Sequence, residues 1–116
     1  MTTGALRRSD FKETYAVHAA LRYALKKKVF HSDLNARRSA EKLLRHLESD
    51  KSIYGRQCKM IRLMSEGATL AQLRRGLNCS RRTVFRYLVD LEQAGIEITL
   101  ESGVYTVDES LLELVS

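Results

Sequence analysis

The stretch that decides the fold runs Thr69-Leu-Ala-Gln-Leu-Arg-Arg-Gly-Leu-Asn-Cys-Ser-Arg-Arg-Thr-Val-Phe-Arg-Tyr-Leu-Val-Asp-Leu-Glu-Gln-Ala-Gly-Ile96. Thr69 suits a helix start, and Leu70, Leu73 and Leu77 follow it at helical spacing. Asn78 tolerates the left-handed backbone that a tight turn needs. Ser80 then caps a longer helix with Val84, Leu88 and Leu91 facing inward, which Ala94-Gly95 ends. A short helix and a longer one, joined by so tight a turn, pack at a steep angle. That geometry projects the first half of the second helix outward.

The surroundings extend this unit. Upstream, Met60, Ile61, Leu63 and Met64 form one face of a helix that starts near Arg56 and stops at Gly67. Downstream the period drops to two: Ile96, Ile98 and Leu100 alternate with Glu97 and Thr99, and Val104 to Val107 follow Glu101-Ser-Gly103. Two alternating runs around a Gly-containing turn read as a β-hairpin. Helix, short helix, turn, longer helix and hairpin make the layout of a winged helix-turn-helix, expected over 56–108. The fold class expected is therefore mostly α with a small β-hairpin, preceded by two N-terminal amphipathic helices.

The first of those helices runs from Asp10, placed as its cap, to about Phe30. It carries Phe11, Tyr15, Val17, Ala20, Leu21, Ala24, Leu25 and Val29, with Lys26, Lys27 and Lys28 at the favourable end of the dipole. The second runs from Ser32 or Asp33 to Ser49, with Leu34, Ala40, Leu43, Leu44 and Leu47 on one face. Ser49 to Gly55 reads as a connection. Residues 1–9 are expected to be flexible, 10–50 to be a helical extension and candidate dimerisation element, and 109–116 to be an acidic tail with a short final helix turn.

With 116 residues, 44% of them apolar, the chain can bury one core but cannot hold a separate cofactor domain. No apolar run nears the ~20 residues that span a bilayer, and the N-terminus lacks a secretory pattern. A soluble, cytoplasmic, nucleoid-associated protein is expected. Charge is segregated: net +5 over residues 1–50, +6 over 51–95 and −5 over 96–116, which together make the chain's +6. A basic block of this size is the footprint of a polyanion binder. Cys58 and Cys79, each in a predicted helical region among apolar neighbours, suit reduced core positions better than a disulfide framework.

Arg81, Arg82, Thr83, Phe85 and Arg86 remain for the outer face of the longer helix. Three arginines at a helix start oppose the dipole, at ~0.3–1 kcal/mol each, so stability does not explain them. Guanidinium groups can bind guanine edges bidentately or grip phosphate, and Ser80 with the first-turn amides suits a phosphate. Thr69, Arg74 and Arg75 join them as expected DNA contacts, with Arg56, Lys59 and Arg62 as further phosphate candidates.

Ser80-Arg-Arg-Thr-Val-Phe-Arg-Tyr-Leu, leading to Leu91-Glu-Gln-Ala-Gly-Ile96, resembles the recognition helix of the DeoR-type and WYL-associated winged-helix regulators. Ile61-Arg-Leu-Met, Thr69-Leu-Ala-Gln-Leu and Gly103-Val-Tyr-Thr-Val fit the same pattern over about residues 57–107. The resemblance implies a sequence-specific, double-stranded-DNA-binding transcriptional regulator, expected here to be a repressor. It implies that the helix from Ser80 to about Gln93 reads the major groove through Arg81, Arg82, Thr83 and Arg86. Phe85 and Tyr87 stand where those families usually have Tyr and Asp. The hairpin carries Glu97 and Glu101 and no Lys or Arg, which makes it a poor phosphate contact. No sensor domain of the kind common in those regulators is expected after it.

His18, His31 and His46 do not fall at ligand spacing with the cysteines, so no metal and no cofactor are expected. No Gly-rich phosphate loop and no nucleophile with a base beside it appears, so an enzyme is not expected. No small-molecule effector is evident. Phe11, Tyr15, Tyr23 and Leu25 either cover the domain's own core or pair with a second copy, and a homodimer through the N-terminal helices is the favoured reading. Two alternatives stay open: a protein–protein adaptor docking through its winged fold, and an RNA-binding module using the same basic face.

Overall fold

In the computed structural model of the chain, residues 10–111 are described. Helix α1 spans Asp10–Lys26 and α2 spans Leu34–Glu48. Then come α3 (Ile53–Ser65), a two-residue strand β1 (Ala68–Thr69), α4 (Leu70–Leu77) and α5 (Arg81–Gln93). Strands β2 (Thr99–Glu101) and β3 (Val104–Thr106) and a 3-10 turn at Glu109–Leu111 complete the order. The expected loose N-terminus, the Asp10 capping side chain and the tail past Leu111 lie outside the described residues.

Helix α1 stops at Lys26 rather than near Phe30. Lys28 takes left-handed backbone at φ +58°, and Val29 is 60% exposed, so no packing holds the helix on. Asp33 caps α2, its carboxylate accepting the Ala36 amide at 3.0 Å.

The expected connection at Ser49–Gly55 is shorter than the sequence suggested, because Ile53, Tyr54 and Gly55 form the first turn of α3. Ser52 makes the corner. Its hydroxyl oxygen accepts the Gly55 amide at 2.8 Å, and its hydroxyl donates to the Leu47 carbonyl at 2.8 Å. A side chain at position 55 would overlap the Ser49 carbonyl and reach the Leu47 carbonyl oxygen at 2.8 Å. Gly55 is therefore a close-approach glycine that lets α3 start against the end of α2.

One core holds the molecule together. Met60, Ile61 and Met64 of α3, Leu73 of α4, and Val84 and Leu91 of α5 are completely buried. Tyr54, Leu77, Tyr87, Leu88, Ile96 and Val107 close around them. Burying each large aliphatic side chain contributes roughly 1.5–3 kcal/mol before the cost of ordering the chain. Phe11 of α1 enters the same core, its ring centroid 5.3 Å from that of Tyr54.

A polar triad ties the N-terminal helices to α3. His18 of α1 is 4% exposed; its Nε2 lies 2.8 Å from Glu48 Oε2 of α2 and its Nδ1 lies 3.1 Å from the Tyr54 hydroxyl of α3. In the neutral ring that satisfies both contacts, Nε2–H donates to Glu48 and the Tyr54 O–H donates to Nδ1. Burial first, then the neighbouring Cys58, pushes the Tyr54 phenol far above its ordinary value, so it stays a donor.

The sheet has three strands in the order β1-β3-β2, all antiparallel. Thr99 pairs with Thr106 and Glu101 with Val104 across the hairpin, while Ala68 pairs with Tyr105 on the other side. Strand β2 begins at Thr99, later than the alternation suggests, because Ile96 drops into the core. Ser102 (φ +52°) and Gly103 (φ +78°) make the two-residue turn, with the double positive φ that a tight hairpin demands.

Candidate nucleic-acid interface

Two N-caps set the helix-turn-helix. Thr69 Oγ1 accepts the Gln72 amide at 3.2 Å while Gln72 Oε1 accepts the Thr69 amide at 2.8 Å, a reciprocal capping box. Asn78 ends α4 at φ 51°, ψ 56°. Ser80 caps α5, its oxygen accepting the Thr83 amide at 3.2 Å and its hydroxyl donating to Thr83 Oγ1 at 3.1 Å. Thr83 keeps its own hydroxyl proton to give elsewhere. Helix geometry also leaves the Arg81 and Arg82 amides at the α5 start without an intrahelical acceptor.

Around that helix start the structure gathers the expected arginines. Arg81, Arg82 and Arg86 are exposed on the first two turns of α5, and Arg74 and Arg75 are exposed on the last turn of α4. An open concavity of about 710 Å³, lined by Ala71, Arg74, Arg75, Asn78, Cys79 and Ser80, runs from the end of α4 to the cap of α5. The Arg81 guanidinium lies 5.3 Å over the Phe85 ring, which restrains its direction. No acid occupies the first turn of either helix.

Several expected contacts sit differently from the sequence reading. Phe85 and Thr83 are half-buried rather than on an open face, and Phe85 packs against the core. Thr69 is spent on its capping box and on pairing with Val104. Tyr87 is 2% exposed, so it adds nothing to the surface. Arg56 turns inward: its Nη2 donates to the Leu77 carbonyl at 2.9 Å and its guanidinium lies 5.5 Å from the Tyr87 ring centroid. Lys59 faces Asp50 at 3.4 Å, and Arg62 is exposed on α3. Cys79 lies in the turn before α5 rather than within a helix; it is half-buried and Cys58 is buried, both as free thiols. Burial raises the Cys58 thiol above its ordinary value. The Arg56 clip was missed from sequence, and only its partner's position across the turn could have revealed it.

The wing is the electrostatic opposite of the helix start. Between Leu88 and Leu111 there is no Lys, Arg or His, and Glu97 and Glu101 are exposed. A shallow apolar groove of about 270 Å³ runs between α5 and the hairpin, walled by Phe85, Leu88, Val89, Ile98, Leu100 and Tyr105. Among the described residues no group of three His, Cys, Asp or Glu side chains could hold a metal, and no helix is long and apolar enough to cross a membrane.

Residues 56–105 match a family model described as an HTH domain. No curated protein and no solved structure matches the chain. The matched segment covers the stretch from Arg56 of α3 through β3, the parts that build the capped turn and the arginine-bearing helix. Over residues 56–105 the chain is a winged helix-turn-helix, and the match to an HTH domain agrees with the helices, the capped turn and the small sheet.

Proposed function

We propose that the protein is a sequence-specific regulator of transcription that reads double-stranded DNA in the major groove with α5. The observation that carries this reading is the cluster of Arg81, Arg82 and Arg86 at the exposed, acid-free start of α5, with Arg74 and Arg75 in the concavity that reaches its cap, Ser80. Arg82 and Arg86 are the base-reading candidates, and Arg81, braced on Phe85, flanks them. Thr83, whose hydroxyl proton stays free, and the first-turn amides supply neutral donors to phosphate, and Arg74 and Arg75 add charge. The likeness of Ser80–Ile96 to DeoR-type and WYL-associated regulators supports the same reading. Repression by occluding a promoter is the simplest action for a protein that grips the major groove. It would work in the cytoplasm on the nucleoid, as a homodimer joined through the N-terminal helices.

Retention of genomic duplex fragments across a salt series, followed by sequencing, tests this. Enrichment of one palindromic or directly repeated motif is the expected result. Retention without enrichment that vanishes as salt rises would leave only general DNA coating. No retention at low salt would remove the reading.

A second reading rests on the wing. Its acids would be repelled by phosphate, and the apolar groove beside it exposes Val89 and Leu100. That surface fits a protein partner, as an adaptor would use it, alongside DNA binding or in its place. Nothing comparable favours RNA, because the small sheet offers no pair of exposed aromatics for base stacking.

A further inference from the structure

The inner side of α1 packs on the domain through Phe11, Tyr15 and His18, so the opposite side is fixed by helix geometry. It presents Glu13, Ala16, Val17, Ala20 and Tyr23, with Lys27 just past the helix end, all exposed, and the Lys27 ammonium lies 5.9 Å from the Tyr23 ring centroid. Val17 and Tyr23, at 48% and 64% exposure, are two of the exposed large hydrophobics. From Thr14 to Leu21 the helix carries no Lys, Arg, Asp or Glu, although the chain is 29% charged and its N-terminal half is strongly basic. DNA cannot use such a face, and two copies of a +6 chain repel each other least across it.

The order of side chains on the face is self-complementary. If a second α1 is laid antiparallel about a two-fold axis at Ala20, residue 20 meets its own copy, Val17 meets Tyr23 and Glu13 meets Lys27. Each contact occurs twice, as an isologous interface requires. The small residues on the axis let the helices approach toward the short end of the ~8–10 Å packing range. The contact runs about 21 Å, from 13 to 27 at 1.5 Å per residue. We infer that the exposed face of α1 is a homodimer interface, with antiparallel α1 helices crossing at Ala20 and closed at both ends by Glu13–Lys27 pairs.

This deepens the proposed dimer by naming its register and partner contacts. A single helix pair is small beside the ~1,200–2,000 Å² of stable complexes, so the dimer should be reversible in solution. Two DNA half-sites would then strengthen it by holding both copies.

Charge exchange tests the register in the full chain. Sedimentation equilibrium across a concentration series should show a dimer that Glu13→Lys weakens at least tenfold, and Lys27→Glu likewise. The double variant Glu13→Lys with Lys27→Glu should regain the wild-type constant. In a Cys79→Ser background, Ala20→Cys should form an intermolecular disulfide under mild oxidation, while Ala19→Cys should form far less. Circular dichroism melts of each variant establish that α1 is still folded. A chain that stays monomeric at the highest concentrations overturns the proposal. So do single charge variants that dimerise like wild type, or a double variant that fails to recover. Binding of a single half-site duplex, measured in parallel, separates the outcomes: a monomer that still selects its sequence loses the dimer and keeps the DNA reading. A different protein or a lipid surface as occupant would appear as a monomer whose Val17→Lys variant leaves the sedimentation unchanged.

Discussion

The N-terminal helix pair and the winged domain are both amphipathic helical structure, yet they are stabilised in different ways. From Phe11 to Asp50 the buried residues are Phe11, His18 and Ala40. The domain beyond buries six large aliphatic side chains completely. The domain therefore carries its own core, whereas α1 and α2 are held on by a seam: Phe11 on Tyr54, the His18 triad, and the close contact at Gly55. The difference teaches that apolar residues at helical spacing do not by themselves show where a core is. In α1 half of them face outward.

Leu73→Ala should give the largest effect, because it opens a void in a core without slack. A loss of about 2–5 kcal/mol is expected in urea unfolding, with helix-turn-helix and seam lost together. A loss restricted to α1 and α2 would break the comparison. Gly55→Ala should cost about 1–3 kcal/mol by forcing a methyl group into the Ser49 carbonyl. Hydrogen exchange should then accelerate in α2 well before α4. Arg82→Ala and Arg86→Ala should leave the melting temperature unchanged. Each should cost about 1–3 kcal/mol of duplex binding at a base contact, with relaxed preference at one position. An equal loss on every sequence would make that arginine a phosphate contact.

Tyr54→Phe sharpens the view of the seam. It keeps the ring stack on Phe11 and removes the hydroxyl that meets both His18 and Cys58, for about 1 kcal/mol. The smallest effect expected is alkaline. Burial raises both the Cys58 thiol and the Tyr54 phenol, so the folded chain keeps those protons to a higher pH than the unfolded chain. Their stabilising contribution is complete below the ordinary thiol value and declines as pH climbs above roughly 8.5. Melts from pH 6 to pH 10 should be flat and then fall, and Cys58→Ala should remove the first part of the fall.

What could be read from the sequence was local. The Thr69 and Ser80 caps, the Asn78 turn and the inward leucines each depend on neighbours within a few residues, and the structure places them as their chemistry predicts. The arginine cluster was legible for the same reason, since helix spacing alone puts Arg82 and Arg86 on one side. What escaped depends on distant partners. Strand β1 is two residues long and exists because Ala68 meets Tyr105. Ile53 to Gly55 resembled a connection because the reason for Gly55 is a carbonyl on another helix. Arg56 looked like one more surface cation, and its acceptor lies 21 residues away.

The wing's brevity has a consequence for information. Three-residue strands and a two-residue turn leave it no arm to thread along DNA, and its acids keep it from reading phosphate. On the proposed reading, one copy queries DNA with α5, through about three or four side chains, or about four base pairs. A word that short recurs roughly every few hundred base pairs, and a genome offers about 10⁶–10⁹ competing positions. A single copy could recognise a vocabulary but not an address. Doubling the word by pairing two copies squares its rarity, so the exposed side of α1 would matter as much to where this protein acts as the arginines proposed to read the bases.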